Sequence, residues 1–173
     1  MKLLNWVRFT WDLTQLTSIP VELPNHYQIT PARPEDEYAV RKVLSCSFLL
    51  DPAWNPAIGE VMQSLQSWLD RAFLIEKNTC LVLKHGNRII GASVLCLHPA
   101  EENNFAPGPC ILMEYRNRGF GTKLLQASLQ LLKDEGLTRA SGIARELSPV
   151  AKFLYPKYNA VCSPAKISVA LAA

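Results

Sequence analysis

A short apolar strand, an arginine- and glycine-bearing turn and a long helix follow one another without a break in this sequence. The strand is CILME, residues 110–114, and the turn is RNRGFG, residues 116–121. Leucines then recur at helical spacing through residues 120–135, and Gly136 ends the helix as a C′ glycine does. This succession predicts a sheet with a helix packed against it, and it directs attention to what the turn holds.

The turn has the composition of a phosphate-binding loop. Gly119 and Gly121 lack Cβ atoms, so the backbone can curl and direct successive N–H groups toward one point. The helix that follows adds unpaired N–H groups and a partial positive charge. Arg116, Arg118 and Lys123 add mobile charge at the rim. A glycine turn before a helix, with solvated arginines, is the alternative interpretation.

Two common phosphate motifs do not fit the same residues. A Walker A loop needs G-x-x-x-x-G-K-[ST], whereas the sequence reads GFGTK. A Rossmann fingerprint needs a third glycine, but Leu124 occupies that position. The Rossmann motif also belongs early in a βαβ unit rather than two-thirds of the way along the chain. A phosphate site here has to be of another kind.

The remaining patterns predict the element order β-β-α-α-β-β-β-α-β-α-β, a mixed sheet with helices on its faces. Strands are predicted at 7–13, 27–32, 79–84, 89–97, 110–114, 138–144 and 165–173. Helices are predicted at 33–48, 57–75, 120–135 and 149–155. A polar loop with prolines, residues 98–109, separates the hairpin strands from the strand before the glycine turn.

The first predicted strand alternates strictly, so that one of its faces is apolar and the other polar. Its apolar face consists of Val7, Phe9, Trp11 and Leu13. We expect this strand to cover an exposed sheet edge, which otherwise invites association. The aromatic residues Trp6, Phe9, Trp11 and Trp54 are interpreted as core, with the lining of a substrate pocket as the alternative.

Composition predicts one globular domain outside the membrane. Hydrophobic residues make up 49% and charged residues 19% of the 173 residues. No stretch approaches the roughly 20 apolar residues that span a bilayer, and the opening segment lacks the apolar core of a signal peptide. Residues 1–104 carry 9 Lys/Arg against 11 Asp/Glu, and residues 105–173 carry 9 against 4. The basic second half slightly favours an anionic ligand there.

The cysteine and histidine patterns predict neither a metal site nor disulfides. The five cysteines are odd in number and widely spaced without a C-x-x-C, and the three histidines show no ligand spacing. Four cysteines lie among apolar residues or in strand-like runs, so we expect buried thiols and a cytoplasmic location. The cysteines are Cys46, Cys80, Cys96, Cys110 and Cys162.

The turn and the element order together resemble the GNAT superfamily of acetyl-CoA-dependent N-acetyltransferases. The signature of that family, [Gln/Arg]-x-x-Gly-x-[Gly/Ala] between a strand and a helix, is matched by residues 116–121 at every fixed position. The family order of elements is similar to that of residues 27–173. The resemblance implies an α/β fold with a central mixed, mostly antiparallel sheet and helices on both faces. Residues 1–26 are then an extra N-terminal strand and linker.

The resemblance implies acetyl transfer from acetyl-CoA to a primary amine by direct attack. It assigns the pyrophosphate of the cofactor to the glycine turn and the pantetheine arm to the preceding strand. It also places a backbone N–H of Ile111 or Leu112 against the thioester oxygen, where negative charge develops. The cofactor-binding residues implied are Ile111, Leu112, Met113, Arg116, Arg118, Gly119, Phe120, Gly121, Thr122 and Ser148.

The catalytic residues are less closely defined by the same resemblance. Tyr155, in SPVAKFLY, lies where the family places the tyrosine that protonates the leaving thiolate, and a core tyrosine is the alternative. Glu114 is a candidate base, as are Glu101 and Glu102, although all three suit solvated surface carboxylates and a water relay serves equally well. The sequence departs from the family at Ser148, in place of asparagine, and at residues 159–160, in place of Gly-Phe. Little room follows for the final strands.

Two other functions stay open at this stage. The departures from the family pattern suit a non-catalytic acyl-CoA-binding or regulatory domain. Nucleic-acid binding by the basic half is weaker, because its Lys and Arg are spaced rather than clustered and no motif is present. We therefore expect no nucleic-acid partner. The acceptor amine is not identified, and a C-terminal strand at a sheet edge would allow a homodimer.

Overall fold

The computed structural model describes residues 5–74 and 78–166, with seven strands and three α-helices in these ranges. The strands are β1 (Trp6–Asp12), β2 (Tyr27–Pro31), β3 (Asn78–His85), β4 (Arg88–Cys96), β5 (Cys110–Ile111), β6 (Arg139–Arg145) and β7 (Val161–Ala165). The helices are α1 (Glu37–Leu49), α2 (Ile58–Leu74) and α3 (Phe120–Asp134), with a π-helical turn at Val150–Leu154. This confirms the predicted α/β class and order of elements.

Most boundaries lie within one or two residues of those predicted, α1 begins at Glu37 after a 3₁₀ turn rather than at residue 33, and two strands differ more. Strand β5 ends at Ile111 rather than at residue 114, because Met113–Tyr115 forms a 3₁₀ turn. Within residues 78–166 the last strand is β7, Val161–Ala165, which lies earlier than the predicted strand 165–173. Residues 167–173 of that prediction fall outside the described residues.

The helices begin and end where their sequences favour it. Pro34 opens a 3₁₀ turn ahead of α1, and the carboxylate of Asp36 there accepts a hydrogen bond of 2.9 Å from the Arg33 amide. α2 buries Val61 and Leu65 at helical spacing. No helix in residues 5–74 and 78–166 is long and apolar enough to cross a membrane.

The strands form two antiparallel sheets. One sheet has the order β2-β3-β4-β5 and the other the order β6-β1-β7. β1 is the central strand of the second sheet, where Trp6 lies opposite both Arg145 of β6 and Ala165 of β7. The expectation that β1 covers an edge was therefore wrong in part: β1 covers the edge of β6, but β7 pairs along its other side.

Helices cover both faces of the β2-β3-β4-β5 sheet, and each of these faces has its own apolar core. The α3-side core includes Phe9, Trp11 and Leu13, which confirms most of the predicted apolar face of β1. The core beneath α1 and α2 is built around Val40, Leu44, Val61, Leu65, Leu69, Val82 and Val94. Trp6 is also buried, but it lies on the opposite face of β1, against Ile143. The interpretation of Trp6, Phe9 and Trp11 as core residues is confirmed.

The cysteines are less uniformly buried than expected. Cys80 is buried, whereas Cys46, Cys96 and Cys110 are half-buried and Cys162 is exposed. All five thiols are free. Burial raises the pKa of the Cys80 thiol to about 12, so this thiol stays neutral in the folded protein.

Asn104 joins the two sheets. Its amide donates to Ser141 O of β6 at 2.7 Å, and its side-chain Oδ1 accepts from the Ser141 amide at 2.8 Å. Its Nδ2 donates to Cys96 O at the end of β4, at 3.0 Å. Only 2% of Asn104 is exposed. Within the described residues β5 pairs with β4 alone, so beyond this junction β5 and β6 separate and leave an opening between the sheets.

Replacing Asn104 with alanine should lower the free energy of unfolding by about 1–3 kcal/mol, because the buried Ser141 amide and Cys96 carbonyl lose their partner. Urea unfolding of purified protein measures this change. Asn5→Ala removes an exposed amide and is the control, with an expected change within about 0.5 kcal/mol. Equal stability of the two variants would contradict the role given to Asn104.

Candidate active site

A cavity of about 340 Å³ occupies the opening between β5 and β6. One end is lined by the loop before α3 and the first turn of that helix. The other end is lined by the last turn of α1 and by the 3₁₀ turn Pro52–Ala57. Between them lie the end of β6, the π-helical turn and the segment 107–111. The cavity therefore passes from the α3 side of the sheets to the α1 side.

The loop before α3 has the curl that the glycine pattern predicts. Asn117 and Gly119 both have left-handed backbones, with φ of 61° and 80°. The first hydrogen bond of the helix runs from Lys123 N to Gly119 O, 3.2 Å, so the preceding amides have no partner within the helix. Residues 119–122 line the cavity. Unpaired N–H groups at a helix start form a site for an anion.

The side chains of the two loop arginines, Arg116 and Arg118, make different contacts. Arg116 lines the cavity, and its guanidinium donates to Ile111 O at 2.9 Å and to Ser47 O at 3.5 Å. It thereby ties the loop to β5 and to the end of α1. Arg118 does not line the cavity; it donates to Glu114 O at 3.0 Å and lies over the Tyr115 ring.

Ile111 directs its backbone amide toward the cavity, and Leu112 does not. The Leu112 amide donates to Ile90 O of β4 at 2.9 Å. Because the amides of an antiparallel strand alternate in direction, that of Ile111 points away from β4. The Ile111 carbonyl also points away from β4, since it accepts a hydrogen bond from the Arg116 guanidinium. Of the strand residues predicted to bind cofactor, Ile111 lines the cavity, and Leu112 and Met113 do not.

Tyr155 forms part of the cavity wall and is otherwise enclosed. It is 2% exposed, and the rings of Trp11 and Phe9 meet it edge-on at centroid distances of 5.2 and 5.7 Å. Burial, and to a lesser degree Cys110, raises the pKa of the Tyr155 phenol, so its hydroxyl remains protonated. Its hydroxyl makes no hydrogen bond with the part of the chain that the structure describes. The phenol thus lies at the cavity in its protonated form.

Two glycines make the room that Tyr155 needs. A Cβ atom on Gly108 would lie 2.0 Å from the Tyr155 hydroxyl oxygen. A Cβ atom on Gly142 would lie 3.0 Å from the ring edge of Tyr155 and 3.2 Å from Phe105. The glycine within the predicted strand 138–144 therefore has a packing reason, which the sequence pattern alone does not reveal.

The turn that carries Tyr155 begins at Ser148. Ser148 lines the cavity, and its Oγ accepts a hydrogen bond of 3.2 Å from the Ala151 amide. The Tyr155 amide then bonds to Val150 O at 2.9 Å, five residues back, which is the spacing of a π-helical turn. Ser148 thus stabilises the turn from which the phenol projects.

The carboxylates predicted as bases do not reach this cavity. Glu114 is exposed and pairs with Arg88 at 2.9 Å, and its own backbone amide together with Arg88 lowers the pKa of its carboxyl. Glu101 and Glu102 line a different cavity of about 320 Å³, between α2 and the loop after β4. Among the described residues, Asp51 is the one carboxylate that lines the cavity between β5 and β6.

Sequence reasoning overlooked three residues at the α1 end of the cavity. These are Phe48, Asp51 and Arg145. Asp51 precedes a proline, and its Oδ1 accepts a hydrogen bond from the Ala53 amide at 3.0 Å, so in the sequence it is typical of a turn cap. Trp54, considered for both core and pocket, is half-buried and lines the cavity.

The sequence profile of the Acetyltransferase (GNAT) family matches residues 39–158. The chain therefore belongs to this family, whose members use acetyl-CoA as the acyl donor. The matched range contains most of α1, the glycine turn and Tyr155. A search of curated proteins found no match to the chain.

Three similar solved structures support the fold. A Drosophila protein shares 13% identity over 93% of this chain and 48% of its own, with a TM-score of 0.64. A GCN5-related N-acetyltransferase from Sphaerobacter thermophilus shares 16% identity over 93% of this chain and 49% of its own, with a TM-score of 0.63. A GNAT-family acetyltransferase from Novosphingobium aromaticivorans shares 12% identity over 94% of this chain and 66% of its own, with a TM-score of 0.58. The chain spans about half the length of the first two.

Replacing Gly108 with alanine should destabilise the protein by roughly 1–3 kcal/mol, because the new methyl group overlaps the Tyr155 hydroxyl. In a Tyr155→Phe background the loss of stability caused by Gly108→Ala should be smaller. Without the hydroxyl, the nearest ring carbon lies 3.2 Å from the new Cβ atom. A double-mutant cycle of thermal unfolding measures the coupling.

Gly59→Ala is the control for the Gly108 substitution, because a Cβ atom at Gly59 meets nothing within 4 Å. It should leave stability unchanged or slightly higher, as alanine is the better helix former. A cost at Gly108 that is the same with and without the Tyr155 hydroxyl would contradict the close contact described above.

Proposed function

We propose that the protein is an N-acetyltransferase that moves the acetyl group of acetyl-CoA to a primary amine. The observation that carries this proposal is one continuous cavity with an anion-binding helix start at one end and a buried, protonated phenol in its wall. The first suits a pyrophosphate and the second suits a leaving group that needs a proton. Family membership supports acetyl transfer, and the amine is our inference.

The cofactor would be held at the α3 end of the cavity. The backbone amides of residues 118–122 would bind the pyrophosphate, aided by the partial charge of the helix start. Arg116 would add a positive charge close to them while it fixes the distance between this loop and β5. Arg118 would contribute its backbone amide, since its side chain is directed to the Glu114 carbonyl. Direct binding by Leu112 and Met113 stays a prediction.

The thioester would lie between Ile111 and Tyr155. The free Ile111 amide is suited to stabilise negative charge on the carbonyl oxygen as the amine attacks, an effect of about 3 kcal/mol for one donor. Tyr155 would give its proton to the departing sulfur. Ser148 would stabilise the turn that positions Tyr155. This role supports counting Ser148 among the residues of the cofactor site.

Proton removal from the amine is assigned to water. Glu114 was the predicted base, but its pairing with Arg88 on the exterior gives that role no support. Holding both reactants in one cavity supplies much of the acceleration in a direct attack. The free thiols suit a reducing compartment, and we propose a cytoplasmic location on that ground. The homodimer stays a prediction.

Isothermal titration with acetyl-CoA tests the cofactor site. Wild-type protein should bind, and Gly119→Asp should bind at least about tenfold more weakly, because its carboxylate faces the phosphates. Gly119→Asn is the matched control, since asparagine has the same shape and also tolerates the left-handed backbone. Equal affinity of the two variants for acetyl-CoA would show that the phosphates do not bind at this loop.

Tyr155→Phe tests the proton donor. The variant should bind acetyl-CoA as wild type does and lose about 100-fold or more in kcat, measured as thiol released with a panel of amines. Because burial raises the phenol pKa above its ordinary value of 10.0, wild-type kcat should not decline through ionisation of Tyr155 below about pH 10.

Binding of acetyl-CoA without turnover of any amine by wild type would favour the non-catalytic acyl-CoA-binding domain instead. Full kcat in Tyr155→Phe would show that Tyr155 is not the proton donor. The proposed cofactor site would not be affected by that result. These outcomes are distinct from a loss of binding, which thermal unfolding with and without acetyl-CoA reports separately.

A further inference from the structure

We propose that the α1 end of the cavity recognises an acceptor that carries a carboxylate beside its amine, as an α-amino acid does. Arg145 would bind the carboxylate and Asp51 the ammonium group. This inference rests on the proposed acetyl transfer and adds the chemical class of the acceptor. It begins from two charged side chains in the cavity that the proposed steps at the thioester do not use.

Arg145 lies on the face of β6 that is remote from α3. Side chains alternate along a strand, and Ala144 packs in the α3-side core while Ile143 packs against Trp6 on the opposite face. Arg145 follows the direction of Ile143. Its guanidinium accordingly lies over the Trp54 ring, 5.1 Å from the centroid, and donates to the Ala53 carbonyl. It is therefore at the end of the cavity away from the phosphate loop.

The Arg145 charge has no counterion in the part of the chain that the structure describes. No carboxylate of residues 5–74 or 78–166 lies within 4.0 Å of its guanidinium, and its described hydrogen bond uses Nη1 alone. A guanidinium presents several parallel N–H donors, which match the two oxygens of a carboxylate. Held by Trp54 and Ala53 O, it is positioned in advance for such a ligand.

Asp51 supplies the opposite charge at the same place. Its Oδ1 accepts a hydrogen bond from the Ala53 amide at 3.0 Å, and among the described residues its Oδ2 has no partner. The Phe48 and Trp54 rings, 5.2 Å apart and nearly perpendicular, border this end of the cavity. A carboxylate beside aromatic rings is a favourable site for an ammonium group.

One residue fixes the spacing between the two charges. Asp51 accepts from the amide of Ala53, and Arg145 donates to the carbonyl of the same Ala53. The two charged groups therefore lie on either side of one residue, Asp51 at its N–H and Arg145 at its C=O. A ligand that satisfies both has its own opposite charges close together, which an α-amino acid has and a simple alkylamine lacks.

The transfer balances with this acceptor. The ammonium loses one proton to water, and the amine nitrogen bonds to the acetyl carbon. The nitrogen loses a second proton to water as the carbon–sulfur bond breaks. The sulfur takes the proton of Tyr155, which solvent then restores. Asp51 and Arg145 position the acceptor and take no part in bond making.

The test compares α-amino acids with their carboxamides as acceptors, by thiol release and by the mass of the product. The carboxamides keep the amine and remove the carboxylate. Wild type should prefer the acids by about 10- to 100-fold in kcat/KM. Arg145→Gln should raise KM for the acids by a similar factor, leave KM for the amides unchanged, and bind acetyl-CoA as wild type does. Arg145→Lys should restore part of the preference.

Arg88→Gln is the control, since Arg88 is exposed and pairs with Glu114 outside this cavity. It should leave the preference intact. Wild-type turnover that is equal for acids and amides, or an Arg145→Gln effect equal on both, would overturn this acceptor class while acetyl transfer stands. Acetyl-CoA binding with no turnover of any amine would overturn the acetyl transfer itself, and the acceptor class with it.

Discussion

The buried amide of Asn104 is the contact on which the geometry of the cavity depends. Its backbone and side chain both bond to Ser141, and its Nδ2 reaches the end of β4, so one residue satisfies polar groups of both sheets. Because unpaired polar groups are costly in a dry interior, this junction holds the sheets together at one point. The strands are free to diverge beyond it, and the cavity opens where they do.

The interior chemistry of the cavity follows from packing on the α3 side. Trp11 and Phe9 of β1 surround Tyr155, and glycines at 108 and 142 leave the space for its ring and hydroxyl. The same packing buries the phenol and raises its pKa further above its ordinary value. Residues that stabilise the fold thus also shift the pKa of the proposed donor.

Local patterns predicted the elements and the curl of the turn before α3 well, because a glycine turn before a helix and an alternating strand are properties of a few adjacent residues. The central place of β1 was not predicted, since pairing with β6 and β7 involves residues more than a hundred positions away. The outward direction of Glu114 depends on Arg88, and the presence of Asp51 and Arg145 in one cavity depends on the contact of both with Ala53. Spacing along the chain carries no information on such contacts.

The place of β1 between β6 and β7 has a consequence for synthesis of the chain. β1 ends at Asp12 and its first partner begins at Arg139, so about 130 residues separate them. At roughly 5–20 residues per second, a ribosome needs roughly 6–25 s to produce that partner. During this interval the aromatic face of β1 has no sheet to join. β1 is therefore made long before it can pair, and the second sheet assembles only when nearly the whole described chain has been made.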